Sequence, residues 1–203
     1  TTDELIPSGE TSSYRSNPVK LSEFALSRRA PEYVGRSKAA RDMADAVRNG
    51  EIPGELAAVM EKLGLPADTL KETTVGSGVF ANRPGDGSAR EQAASCQKVL
   101  GGVANIAYSY ATKRYRSNCI NWGILPFTLD ENTPFDYEPG DFLYVPGIRE
   151  AVKNGAEVIP AKVVSKNGVQ DITLYVKGLT NDEKTIILEG CLINYYAAGY
   201  GKD

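Results

Sequence analysis

Apolar residues recur with helical spacing between positions 39 and 63. Ala39, Ala40, Met43, Ala44 and Val47 share one face and Gly50 follows as a stop, so PEYVGRSKAARDMADAVRNG predicts a helix. Leu56, Met60 and Leu63 form a shorter stripe over 54–64, ended by Gly64 and Pro66. The β-branched run TTVGSGVF (73–80) predicts a strand. GDGSAREQAASCQKVLGG (85–102) reads as a glycine turn, a helix start and a helix. VANIAYSY (103–110) reads as a strand, and 112–123 as a helix with Tyr115, Cys119 and Trp122 at i, i+4 and i+7. ILPFTL (124–129) is the next strand. Strands alternating with helices argue for an α/β fold.

Beyond residue 129 the pattern changes period. FLYVP, EVIPAKVVS and DITLYVKG read as antiparallel strands with turns at Gly140, Gly155 and Asn167-Gly168. Asn181 is the expected cap of a last helix running to about 197, with Asp182 and Glu183 in its first turn. Residues 1–35 are rich in Ser, Pro, Gly and Arg without sustained periodicity, and predict an extended, ordered loop. A loop of that length in a compact domain is usually functional or disordered. No repeat and no second domain is visible, so 1–203 reads as one domain.

Composition narrows the chemistry. The 203 residues are 41% hydrophobic and 24% charged, which is enough to bury a core without staples. Lys+Arg 23 against Asp+Glu 26 argues against electrostatic capture of nucleic acid. No apolar run approaches a membrane span, and TTDELIPSGE has neither the basic nor the apolar region of a signal peptide. His is 0, which excludes Ser-His-Asp and Cys-His catalysis and histidine-ligated metals. Cys96, Cys119 and Cys191 lie far apart with no CxxC pair, and read as reduced, buried thiols of a cytoplasmic protein.

One stretch carries candidate chemistry. In GDGSARE, Gly85 and Gly87 allow a close backbone approach or positive φ. The residues after them open a helix, whose free N–H groups and dipole attract an anion. Ser88 lies within that field, and Arg90 offers a planar fork matched to a carboxylate. Ser88 and Glu91 also have capping-box spacing. The same residues fit a plain glycine turn with a serine cap and a solvent-facing arginine. Arg28-Arg29 and Lys113-Arg114-Arg116 read as solvated basic faces, so Arg28→Lys is expected to be silent. Trp122 and the tyrosines of INYYAAGY read as core and rim packing.

Three separated motifs together resemble a known family. GDGSAREQAAS, Gly101-Gly102 and NCINWGILPF are similar, in order, to the C-terminal swivelling domain of the aconitase superfamily, which includes the small subunit of isopropylmalate isomerase. Asn118, Gly123, Leu125 and Pro126 fit the last motif, with Ile124 in place of a leucine. The opening TTDELIPSG is similar to the family's Thr-Thr-Asp-His opening, and Arg15 falls where aconitases carry a substrate-binding arginine. The likeness covers roughly 1–15 and 73–129; 16–72 matches poorly, and 130–203 only in its strands and final helix.

The resemblance implies an α/β swivelling domain (a β/β/α fold of the isopropylmalate isomerase small-subunit type) and a hydro-lyase reaction. Such enzymes reversibly dehydrate a hydroxy di- or tricarboxylate on a [4Fe-4S] cluster, whose ligands lie outside this chain. Ser88 matches the catalytic base and Asp3 an active-site aspartate, while Arg90 and Arg15 match carboxylate-binding arginines. No metal ligand is implied within the chain. The implied partners are the hydroxy-carboxylate and cluster-bearing domains or a large subunit, with no nucleic acid and no membrane; the isolated chain is expected to be inactive. Ala89 replaces a second serine, and Glu4 and Gln92 stand where the family usually has histidine, which puts citrate in doubt as substrate. The abrupt start at Thr1 favours a domain of a longer polypeptide. A separately encoded small subunit and a non-catalytic anion-binding module are the alternatives.

Overall fold

The computed structural model describes residues 1–7, 9 and 11–202. Six strands form one mixed sheet in the order β1-β2-β3-β6-β5-β4. β1 (Ser77–Ala81), β2 (Gly102–Ala107) and β3 (Leu125–Thr128) are parallel neighbours. They are joined by α5 (Arg90–Val99) and α6 (Lys113–Asn121), which pack on each other. β4 (Phe142–Tyr144), β5 (Val158–Ser165) and β6 (Gly168–Tyr175) are antiparallel. The two halves meet at a single pairing, Thr128 with Tyr175. The α/β class and the change from parallel to antiparallel strands agree with the sequence pattern.

Period-two alternation sorts side chains between layers. Ile106, Phe127, Ile159, Ala161, Val163, Ile172 and Leu174 share one core, which Phe80 and Phe135 extend from its edge. Asn105, next to Ile106, faces α5 and α6 instead. There its amide nitrogen donates to Tyr115 Oη at 3.2 Å and contacts Cys119 Sγ at 3.5 Å, while Gln97 donates to its oxygen. That pairing removes the cost of burying an amide at 2% exposure. Around it, Ala93, Ala94, Cys96, Leu100, Tyr115, Cys119 and Ile124 form a second core with Leu5, Ile6, Leu21 and Ala25. Fully burying a leucine-sized side chain contributes about 1.5–3 kcal/mol.

Several boundaries differ from the sequence pattern. The opening segment is not an extended loop: α1 (Thr2–Leu5), a 3-10 turn at Ser12–Tyr14 and α2 (Pro18–Ser22) lie within it. These pieces are too short to show a period, and they are held by Leu5, Ile6 and Leu21 in the core. α3 (Tyr33–Arg48) and α4 (Gly54–Leu63) follow the predicted stripes, with Gly64 left-handed at φ 70°. A short α7 (Ile148–Lys153) had no signal of its own. The last helix is two, α8 (Asn181–Glu189) and α9 (Leu192–Ala197), separated by Gly190 at φ 99°. Thr180, not Asn181, is the cap of α8, in a capping box with Glu183.

The break between α8 and α9 is where α6 ends. Gly123 has φ 73°, and a β-carbon there would overlap the carbonyl of Gly190. Gly123→Ala is therefore expected to cost about 3 kcal/mol or more, because both backbones must move. Gly140, with φ 98° but open space around it, should lose only about 1–2 kcal/mol on the same change. Urea unfolding of the two variants measures the difference.

Candidate functional site

The loop from β1 to α5 is clamped on two sides. Gly85 and Gly87 both have positive φ, 105° and 125°. A β-carbon on Gly85 would run into the Tyr115 ring, and one on Gly87 into the Thr2 hydroxyl. The glycines therefore permit a close approach within the chain itself, with α1 on one side and α6 on the other. Thr2 N–H donates to the Asp86 carbonyl at 2.6 Å. Thr112 Oγ1 donates to the Gly85 carbonyl at 3.2 Å and accepts from Tyr115 N–H at 3.1 Å, so the residue that caps α6 also holds the turn.

This clamping changes the role expected of Ser88. Helix α5 begins at Arg90 with Ala89 as its cap residue, and no side chain caps it. Ser88 is exposed, one position ahead of the cap. The capping-box expectation is thus overturned, and Glu91 accepts from Trp122 Nε1 at 3.1 Å instead. Among the described residues no side chain bonds the first-turn N–H groups of α5.

Ser88 borders a cleft of about 210 Å³ whose lining includes Ile6, Thr11, Arg15, Leu21, Ala89 and Gln92. The structure therefore brings Ser88 and Arg15 together across 73 residues of sequence. Arg15 is exposed, on the turn that follows Tyr14, whose ring stacks on Phe24 at 5.6 Å. Thr11 is buried and donates to the Pro7 carbonyl. Of the family-like opening, Ser8 lies outside the described residues, as does Glu10 just after it.

The other two predicted residues do not line this cleft. Arg90 is half-buried at the start of α5, and its Nε is buried without a hydrogen-bond partner among the described residues. Asp3 is exposed on α1, and its carboxylate pairs with Arg28 at 2.9 Å. Arg28 is exposed, as a solvated basic face requires, but its partner is a predicted site residue rather than solvent alone. Sequence spacing could not show this, because the partners are 25 residues apart. Thr11 was likewise missed, since a lone threonine in a Ser-rich stretch carries no signal.

A larger cleft of about 600 Å³ opens at the carboxyl ends of β2 and β3, bordered by Tyr108, Lys113, Arg116, Asp130 and Lys177 among others. It holds none of the predicted residues. Its Arg116 is engaged by the Lys177 carbonyl at 2.6 Å and by Glu183 at 3.7 Å. That makes Arg116 partly structural rather than a solvated charge.

The chain's own thiols do not fit a metal cluster. Cys96 and Cys119 lie in the core, and burial pushes their thiols up to about 11 and about 12. A metal needs the thiolate, which burial of this kind disfavours. Among the described residues no three His, Cys, Asp or Glu side chains group to hold an ion. Nor is any helix among them long and apolar enough to cross a membrane.

The site is thus a glycine turn between a parallel strand and the start of α5, with Ser88 and Arg15 lining one cleft of an α/β domain. Residues 78–132, which contain this turn, match the family model of the aconitase C-terminal domain. Two relatives extend the likeness. A mitochondrial aconitate hydratase by name, from Emericella nidulans, is 29% identical over 197 residues, covering 96% of this chain and 23% of that protein. Aconitate hydratase A of Rickettsia bellii is 26% identical over 217 residues, covering 96% and 24%. The chain thus spans about a quarter of the length of these curated relatives. Among solved structures, a 3-isopropylmalate dehydratase from Methanocaldococcus jannaschii is similar over 97% of this chain and 86% of that one, with 23% identity and a TM-score of 0.49.

The cap geometry makes a direct prediction. Ser88→Ala should change stability by no more than about 0.5 kcal/mol, because no helix bond is lost. Thr180→Ala and Thr112→Ala remove true caps and should each cost about 1 kcal/mol. Thermal unfolding of the three variants checks this.

Proposed function

We propose that the chain acts as one swivelling domain of an aconitase-type hydro-lyase, supplying the base and the carboxylate grips for reversible dehydration of a hydroxy di- or tricarboxylate. The observation that carries this reading is Ser88: freed from capping, it borders one cleft with Arg15 at the open start of α5. The family match over the same segment supports it. The substrate would enter with a carboxylate toward Arg15. Arg90 opens α5 two residues after Ser88 and is assigned the second carboxylate grip through its guanidinium Nη groups.

The chemistry assigned to Ser88 is proton removal. As an alkoxide, Oγ takes the proton from the carbon next to the hydroxyl-bearing carbon. The C–H electron pair becomes the double bond, and the C–O bond breaks with its pair on the departing hydroxide. Rehydration runs the same steps backward. Open helix N–H groups and arginine charge lower the cost of the alkoxide without an imidazole, which suits a chain with His 0. An iron-sulfur cluster of the kind this family uses supplies Lewis-acid polarisation, with ligands from outside this chain. Closure against cluster-bearing domains would cover the exposed serine and arginine.

In the complete enzyme, Ser88→Ala should lower kcat by ~10²–10⁴-fold with little change in KM, because the proton moves only in the transition state. Near-normal kcat would remove Ser88 from the mechanism. Arg90→Lys keeps the charge but loses the two-donor fork, and should lower kcat/KM by roughly 10- to 100-fold. Arg15→Lys should behave similarly. Arg48→Gln, which removes an exposed pair with Asp45, is the silent control. Equal activity of Arg90→Lys and Arg48→Gln would contradict the carboxylate assignment.

A further inference from the structure

We infer that Arg28 is a positioning residue that orients the Asp3 carboxylate on α1, the helix followed by the cleft-lining Ile6; the inference rests on the functional reading above. The first observation is the span of the contact. Arg28 Nη1 meets Asp3 Oδ2 at 2.9 Å across 25 residues. The pairs Asp45–Arg48, Asp68–Lys71 and Glu32–Arg36 are local helical or turn neighbours, whereas Lys38–Glu23, Lys166–Glu138 and Arg116–Glu183, like Asp3–Arg28, join separate segments. A long-range pair fixes two separate pieces of chain relative to each other.

The second observation is the backbone that delivers Arg28. Among the described residues, Leu26 is the one non-glycine residue with positive φ, at 55°. Residues with a β-carbon rarely adopt that conformation, and it persists only where the surroundings over-determine it. Here Leu26 N–H donates to the Leu5 carbonyl at 2.8 Å, stitching this turn to the end of α1. Arg29 and Ala30 N–H both donate back to the Leu26 carbonyl, at 3.0 and 2.8 Å. Arg28 therefore starts from a backbone already tied to the helix that carries Asp3. On that helix Thr2 seats the glycine turn through Asp86, and Ile6 at its end lines the Ser88 cleft.

The third observation is exposure. The two side chains are 48% and 51% exposed, so the pair contributes little to folding. A strained turn that delivers a weakly stabilising contact to a site residue fits a role in orientation better than one in stability. Arg28 acts through Asp3 and is assigned no contact with substrate.

The test is a double-mutant cycle in the complete enzyme, with thermal unfolding measured alongside. Arg28→Gln should lower kcat by roughly tenfold, with KM within about twofold and an unchanged melting temperature, since small misplacements are costly at a reacting centre. In an Asp3→Asn background the same change should alter kcat by less than about twofold, because its target is gone. Arg28→Lys keeps the charge without the fork and should lower kcat about threefold in the Asp3 enzyme only. If Arg28→Gln does not fold, the lysine cycle carries the same comparison. Unchanged kcat in the Asp3 enzyme, or equal losses in both backgrounds, overturns the positioning role and leaves the functional reading standing. A complete enzyme with no hydro-lyase turnover on hydroxy di- or tricarboxylates overturns that reading and this inference with it.

Discussion

The candidate site depends on how tightly the glycine turn at 85–87 is seated. Its two glycines have no room for a β-carbon, because Tyr115 of α6 and Thr2 of α1 occupy that space. Thr2 N–H and the Thr112 hydroxyl bond the carbonyls of Asp86 and Gly85. The turn is thereby fixed to two elements that are remote from it in sequence. Ser88 follows immediately, and its position is inherited from that seating rather than from any hydrogen bond within α5.

The sheet supplies the rigid side of this arrangement. β1, β2 and β3 run parallel, so the loops that follow β1 and β2 emerge at the same edge. Those loops carry Ser88 and Thr112, and α5 and α6 pack against each other beyond them. The buried Asn105 network ties β2 to both helices, and a fully satisfied polar network of this kind specifies one arrangement of its neighbours. The N-terminal pieces form the other side. They reach the site through short helices anchored by Leu5, Ile6 and Leu21, and they bring Arg15, Thr11 and the Asp3–Arg28 pair with them.

Several groups are left in states that a closed site would resolve. Ser88 and Arg15 are exposed, and the Nε of Arg90 is buried without a partner among the described residues. A buried unsatisfied donor costs roughly 1–3 kcal/mol and normally has an explanation.

The sequence by itself determined the elements whose signal is local. The stripes of α3 and α4, the alternation in β5 and β6, and the strand–turn–helix order from 77 to 128 were readable because periodicity survives without tertiary contacts. The motif at 85–91 was readable for the same reason, since glycines, a serine and an arginine at fixed offsets need no partner to be seen. Only the tertiary structure decided what those offsets do. It moved the start of α5 past Ser88, which was expected to cap that helix and instead ends the turn held by α1 and α6. It folded the aperiodic opening into short helices, which are stable only when packed. It split the final helix at Gly190, whose φ of 99° ends α8 and whose carbonyl packs where a β-carbon on Gly123 would sit. Arg28 was illegible as a partner of Asp3 because an ion pair between distant segments is set by where the core places their backbones.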